Sequence, residues 1–64
     1  MFTVLMQFND GTEKLVPATG EIDYERTEKG GVLSIGETEY DLVKGDNVFI
    51  MNDTGQTVRR YNLR

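Results

Sequence analysis

Between Glu21 and Val43 polar and apolar positions alternate with a period of two: EIDYERTEKGGVLSIGETEYDLV. In the first arm Glu21, Asp23 and Glu25 alternate with Ile22, Tyr24 and Arg26. In the last arm Glu39 and Asp41 alternate with Tyr40 and Leu42, and Val32-Leu33-Ser34-Ile35 lies between. Successive side chains leave a pleated strand on opposite sides, so this period marks a strand with one buried face. The segment predicts a meander of antiparallel strands, with apolar side chains on one flank and carboxylates on the other. Glu28-Lys29-Gly30-Gly31 closes the first hairpin. Gly36-Glu37 closes the second as a two-residue loop, glycine first, as a type II′ turn prefers. In that register Ile35 faces Thr38, Ser34 faces Glu39 and Leu33 faces Tyr40, which puts Leu33, Ile35, Tyr40 and Leu42 on one face.

The pattern continues on both sides. Phe2, Val4, Met6 and Phe8 alternate with Thr3, Leu5, Gln7 and Asn9, predicting a strand with the first set inward. Asp10-Gly11 reads as a type I′ loop, which pairs Met6 with Leu15 and Leu5 with Val16. The second strand stops at Pro17, which has no N–H for a ladder. Leu5 and Val16 then form an apolar pair on the outer face. That pair, or an edge strand, is a candidate contact between copies of the chain.

Pro17-Ala18-Thr19-Gly20 is a corner and Lys44-Gly45-Asp46-Asn47 a turn. Val48-Phe49-Ile50-Met51 is apolar at every position, the mark of a strand covered on both faces. Asp53-Thr54-Gly55 reads as a type I turn followed by a left-handed glycine. The last strand runs over 57–63 with Val58, Tyr61 and Leu63 as anchors, and the face of Val58 depends on a bulge.

No connection leaves room for a long helix. The expected fold is all-β: one domain over 1–64, with six or seven short strands in a small, partly open antiparallel barrel of SH3-like or OB-like form. Closure suits a short chain because it removes sheet edges. The runner-up is a single twisted sheet completed by dimerisation.

Composition narrows the chemistry. There is no cysteine and no histidine, so neither a disulfide, a thiol nucleophile nor an imidazole base is available, and the usual zinc ligands are missing. Asp10-Gly11, Asp46-Asn47 and Asp53-Thr54-Gly55 lack the ligand spacing of a calcium loop, and turn chemistry accounts for them. The glycine pair has no phosphate-loop lysine. The expectation is a non-enzymatic protein without cofactor or metal. No apolar run approaches the ~20 residues of a membrane span, and the opening residues have no basic region, so a cytoplasmic location and no membrane partner are expected.

The net charge is −4. All eleven acids fall within 1–57, against four bases there (Lys14, Arg26, Lys29 and Lys44), and the other three bases are Arg59, Arg60 and Arg64. This balance disfavours a general nucleic-acid binder, which needs cations to replace phosphate counterions. It suits a basic protein partner. The candidate contact carboxylates are Glu21, Asp23, Glu25, Glu39 and Asp41, with Tyr24 and Tyr40 as core supports. The sequence thus points to an acidic binding or inhibitory module, with nucleic-acid mimicry as its strongest form. The alternatives are a small barrel contacting nucleic acid through Arg59, Arg60, Tyr61 and Arg64, with Tyr61 stacking on a base, or a structural subunit of an assembly. Cross-strand pairing of Arg59 and Arg60 with the meander's acids is the quieter reading of those arginines.

Overall fold

The computed structural model describes residues 1–63, and every regular element in it is a strand. The strands are β1 (Phe2–Gln7), β2 (Glu13–Ala18), β3 (Ile22–Thr27), β4 (Gly30–Ile35), β5 (Thr38–Val43), β6 (Asn47–Met51) and β7 (Thr57–Asn62). They form two antiparallel sheets, a four-stranded one in the order β2-β1-β6-β7 and a three-stranded one in the order β3-β4-β5. The all-β class and the seven strands match the sequence reading. Closure into a barrel is not found: among the described residues no backbone ladder joins one sheet to the other.

Side chains hold the sheets together instead. Val4, Met6, Ala18, Val48, Ile50 and Leu63 from the larger sheet side meet Leu33, Ile35 and Leu42 from the smaller in one buried cluster. At one margin the rings of Tyr24 on β3 and Tyr61 on β7 stack with centroids 4.5 Å apart and an interplanar angle of 25°. At the other margin the Lys14 ammonium on β2 lies 5.3 Å from the centroid of Tyr40 on β5. Such cation–π contacts at exposed positions contribute about 0.5–1 kcal/mol. Apolar burial therefore dominates the docking of the two sheets, and the aromatic contacts fix its lateral position.

The meander has the expected register. Ile35 opposes Thr38, Ser34 opposes Glu39 and Leu33 opposes Tyr40. Gly36 has φ +62° and among the described residues no non-glycine has positive φ, as a type II′ loop with glycine first requires. The first hairpin is tighter than expected. Thr27 opposes Gly30, so only Glu28 and Lys29 form the loop, and both glycines belong to β4. They are needed there for space. A Cβ on Gly31 would lie 2.5 Å from the Tyr24 ring, and one on Gly30 2.6 Å from the Val43 backbone.

The N-terminal hairpin departs from expectation by one residue. Met6 opposes Lys14, Leu5 opposes Leu15 and Val4 opposes Val16. A type I′ loop would need positive φ at Asp10, and only Gly11 has it, at 93°. The N–H of Phe8 donates to the Thr12 carbonyl (2.8 Å) and that of Gly11 to the Phe8 carbonyl (3.0 Å), so the loop is Asn9-Asp10-Gly11. A slip of one residue reverses every face of a strand. Val16 therefore packs on the core and Leu15 is the outward residue, 62% exposed. The β6–β7 hairpin repeats this construction as expected: Gly55, at φ +85°, donates to the Asn52 carbonyl at 3.0 Å.

The bulge on β7 falls at Val58. Met51 opposes Thr57 and Ile50 opposes Arg59, so Val58 is the extra residue. It is 53% exposed and anchors nothing in the core, while Tyr61 and Leu63 do.

Candidate functional site

The smaller sheet sets out the carboxylates row by row. Asp23, Ser34 and Glu39 stand opposite one another across β3, β4 and β5. Glu25, Val32 and Asp41 form the next row. Since Leu33 and Ile35 point into the core, Val32 and Ser34 face outward, and the four carboxylates share that outer face. All four acidic residues are exposed. They stand near the corners of a rectangle of roughly 6.7 Å along the strands by ~9.6 Å across them, from standard sheet spacings. Glu21 lies just before β3, outside the two rows, beside a groove that it lines with Phe2, Ile22, Ile50 and Arg59. It is exposed, and its carbonyl accepts from the N–H of Gly36 at 2.9 Å.

Tyr24 and Tyr40 lie behind this face, partly buried against the core. The Tyr24 ring covers the side-chain-free surface of Gly31 and its hydroxyl reaches the Gly30 carbonyl at 3.5 Å. Gly31 therefore leaves room for the Tyr24 ring on β4, and Gly30 leaves room for the β5 backbone.

The C-terminal set is not gathered on one face. Tyr61 opposes Val48 and shares its inward direction, where it stacks on Tyr24. Arg59, opposite Ile50, donates from Nη1 to the Tyr61 hydroxyl at 3.3 Å. Arg60 opposes Phe49 and faces outward from the other sheet. Arg64 lies outside the described residues. The cross-strand pairing of Arg59 and Arg60 with the meander's acids does not occur, because β7 belongs to the other sheet. Among the described residues the ion pair is that of the N-terminal ammonium with Asp53, at 2.9 Å.

Two features escaped the sequence reading. The first is Asp46, 3% exposed. Its Oδ1 accepts from the N–H of Asn9 at 2.8 Å and its Oδ2 from that of Val43 at 2.9 Å. Its carbonyl accepts from the N–H of Leu63 at 3.0 Å. One residue thus ties the β1–β2 loop, the end of β5 and the end of the chain together. The signal was its place in the turn Lys44–Asn47, where an aspartate is ordinary. The second is the outer face of the larger sheet. Val48 and Ile50 are buried, but Phe49 and Met51 alternate with them and are only half-buried. The expected cover on both faces of this strand is therefore half supplied. Leu15, Leu5, Phe49 and Arg60 form one row across all four strands, and Pro17, Thr3, Met51 and Thr57 the next.

Asp10 lies on neither face. The Thr12 hydroxyl and then the Thr12 N–H donate to it and hold its pKa below the usual carboxylate value. Among the described residues no group of three or more Asp or Glu side chains is gathered to hold a metal ion, and no helix is long and apolar enough to cross a membrane. No protein-family model, curated protein or solved structure matches this chain.

Proposed function

We propose that this protein is a non-enzymatic binding module that engages a basic surface on a protein partner through the outer face of its smaller sheet. Asp23, Glu25, Glu39 and Asp41 carry the contact, with Glu21 at its margin. The observation that supports this reading is the alignment of the two carboxylate pairs, one row apart, across a strand whose outward residues are uncharged. None of these side chains makes a hydrogen bond or ion pair with another described residue. A negative face of this kind accelerates encounter with a cationic partner and sets its orientation more than its final affinity. Val32, between Glu25 and Asp41, gives the face an apolar centre on which the stem of a lysine or arginine can lie. Inhibition by covering a basic site is the functional form most natural to such a module. Nucleic-acid mimicry is a narrower form of it: the carboxylates are sparser than duplex phosphates, which present one charge per ~1.7 Å of axis.

The test is a titration of the labelled protein with decalysine, followed residue by residue by NMR. Shifts should concentrate on the outward residues of β3, β4 and β5 and weaken as salt is raised. Asp23→Lys combined with Glu39→Lys should reduce the affinity at least about tenfold, with an unchanged far-UV spectrum. Binding that survives this double reversal, or shifts spread evenly over the molecule, would reject the reading.

A further inference from the structure

We propose that the outer face of the larger sheet is a self-association surface, on which a second copy of this chain docks sheet to sheet. Leu5, Leu15 and Phe49 form a contiguous row across β1, β2 and β6, with Met51 in the row beside it. A central strand that is apolar at every position belongs where both of its faces are covered. The smaller sheet covers one face of β6 through Val48 and Ile50. Within the described chain nothing covers Phe49 and Met51 as completely.

Charge selects the occupant. The charged residues among the paired positions of this face are Glu13, at the β2 margin, and Arg60, at the β7 margin. They stand at opposite margins of the sheet, Arg60 at the end of the apolar row and Glu13 one row away. A two-fold axis parallel to the strands, lying in the interface, exchanges the two margins. Each Arg60 then lies over Leu15 of the other copy, roughly 6.7 Å along the strand from that copy's Glu13, within reach of an arginine side chain. The same operation sets Leu5 of each copy against Phe49 of the other. An axis running across the strands through this row would instead stack Arg60 on Arg60. The surface is therefore self-complementary in one orientation, as an isologous contact requires.

The area sets the strength. Four strands by three rows cover roughly 400 Å² of footprint, about half of what each partner contributes to a standard interface. The dimer is accordingly expected to be weak, with a dissociation constant on the order of 100 μM.

Sedimentation equilibrium from about 10 μM to about 2 mM protein tests this range. The expected result is a monomer that passes to a dimer as concentration rises. Leu15→Glu places a charge at an exposed position, so it should leave folding intact and abolish association throughout that range. Glu13→Arg and Arg60→Glu should each weaken the dimer about fivefold to tenfold, because the two-fold axis makes every substitution act twice. The combined variant should restore the dissociation constant to within about threefold of the original. Far-UV spectra and melting curves of all four proteins separate misfolding from loss of contact. A wild-type chain that stays monomeric at 2 mM overturns the proposal. So does a dimer indifferent to Leu15→Glu, or a combined charge swap that fails to recover.

Discussion

The two sheets have the same kind of inner face and opposite outer faces. Inside, both contribute aliphatic side chains to one cluster. Outside, the smaller sheet shows Asp23, Glu25, Glu39 and Asp41 around Ser34 and Val32. The larger shows Leu5, Leu15, Phe49 and Met51, with charge among its paired positions only at the two margins. The difference arises in the strands themselves. β3 and β5 alternate acid with apolar residue, so their folding satisfies them on both sides: core within, water without. β6 is apolar throughout, and folding satisfies only half of it. Two surfaces follow, one suited to an ionic encounter and one to a dry contact, on opposite sides of one pair of packed sheets.

The contrast can be broken most severely where the smaller sheet is most crowded. Gly30→Ala would set a Cβ 2.6 Å from the Leu42 and Val43 backbone at a φ of +151°, and backbone cannot yield as a flexible side chain can. A loss of about 3 kcal/mol or more in urea-monitored stability is expected, with the acidic rows disrupted at β4. Asp46→Ala attacks both sheets at once, since it removes the acceptor of two partly buried backbone N–H groups from different hairpins. Its expected cost is about 2–4 kcal/mol in the same measurement, and Asp46→Asn should recover only part of it. Neither result would leave one face standing without the other if the domain unfolds as a unit.

Gentler changes should separate the faces. Asp23→Asn with Glu39→Gln should alter stability by less than about 0.5 kcal/mol, since these side chains are exposed and make no described contact. Adding salt to the wild type should mimic the direction of that change by screening the mutual repulsion of the carboxylates. A large loss of stability would show that the acidic rows belong to the scaffold and would undermine their reading as a contact surface. The smallest effect lies outside both faces. The Asp10 carboxyl has a lowered pKa in the folded chain, so its contribution is present above the unfolded value and fades as pH falls through the folded one. Thr12→Val removes the hydroxyl donor, and NMR titration should find the Asp10 pKa raised toward its ordinary value of 3.8. The part of the acid-induced fall in stability that is linked to Asp10 should then shrink, the variant being less stable than the wild type above the unfolded pKa and converging with it at low pH, with both outer faces unaltered.

Much of this architecture is legible in the sequence, and the exceptions have a common cause. Local alternation fixes the faces of β3, β4 and β5, because Gly36-Glu37 admits one turn type and the register follows from it. The N-terminal hairpin lies one residue out of step with the two-residue loop that its sequence predicts, because Asp10-Gly11 suits two loop lengths and backbone energetics favours the one that leaves positive φ to glycine alone. That slip exchanged Leu15 for Val16 on the outer face. The partners of Tyr61 and Asp46 lie in other hairpins, so no local pattern could reveal them. Barrel closure failed for a related reason: whether two sheet margins share a ladder or only side chains depends on how the sheets lie together. Asp23, Glu25, Glu39 and Asp41 share the face that their alternation predicts, since that needs only the pattern of neighbours.

The stacked Tyr24–Tyr61 pair has an optical consequence. The chain contains no tryptophan, and its aromatic absorption comes from three tyrosines and three phenylalanines. Two of those tyrosines, one from each sheet, stand 4.5 Å apart across the seam. Their coupled near-ultraviolet dichroism is therefore a built-in gauge of sheet separation, read without any added label. If that signal faded on heating before the peptide bands changed, the layers would have parted while each ladder was still intact.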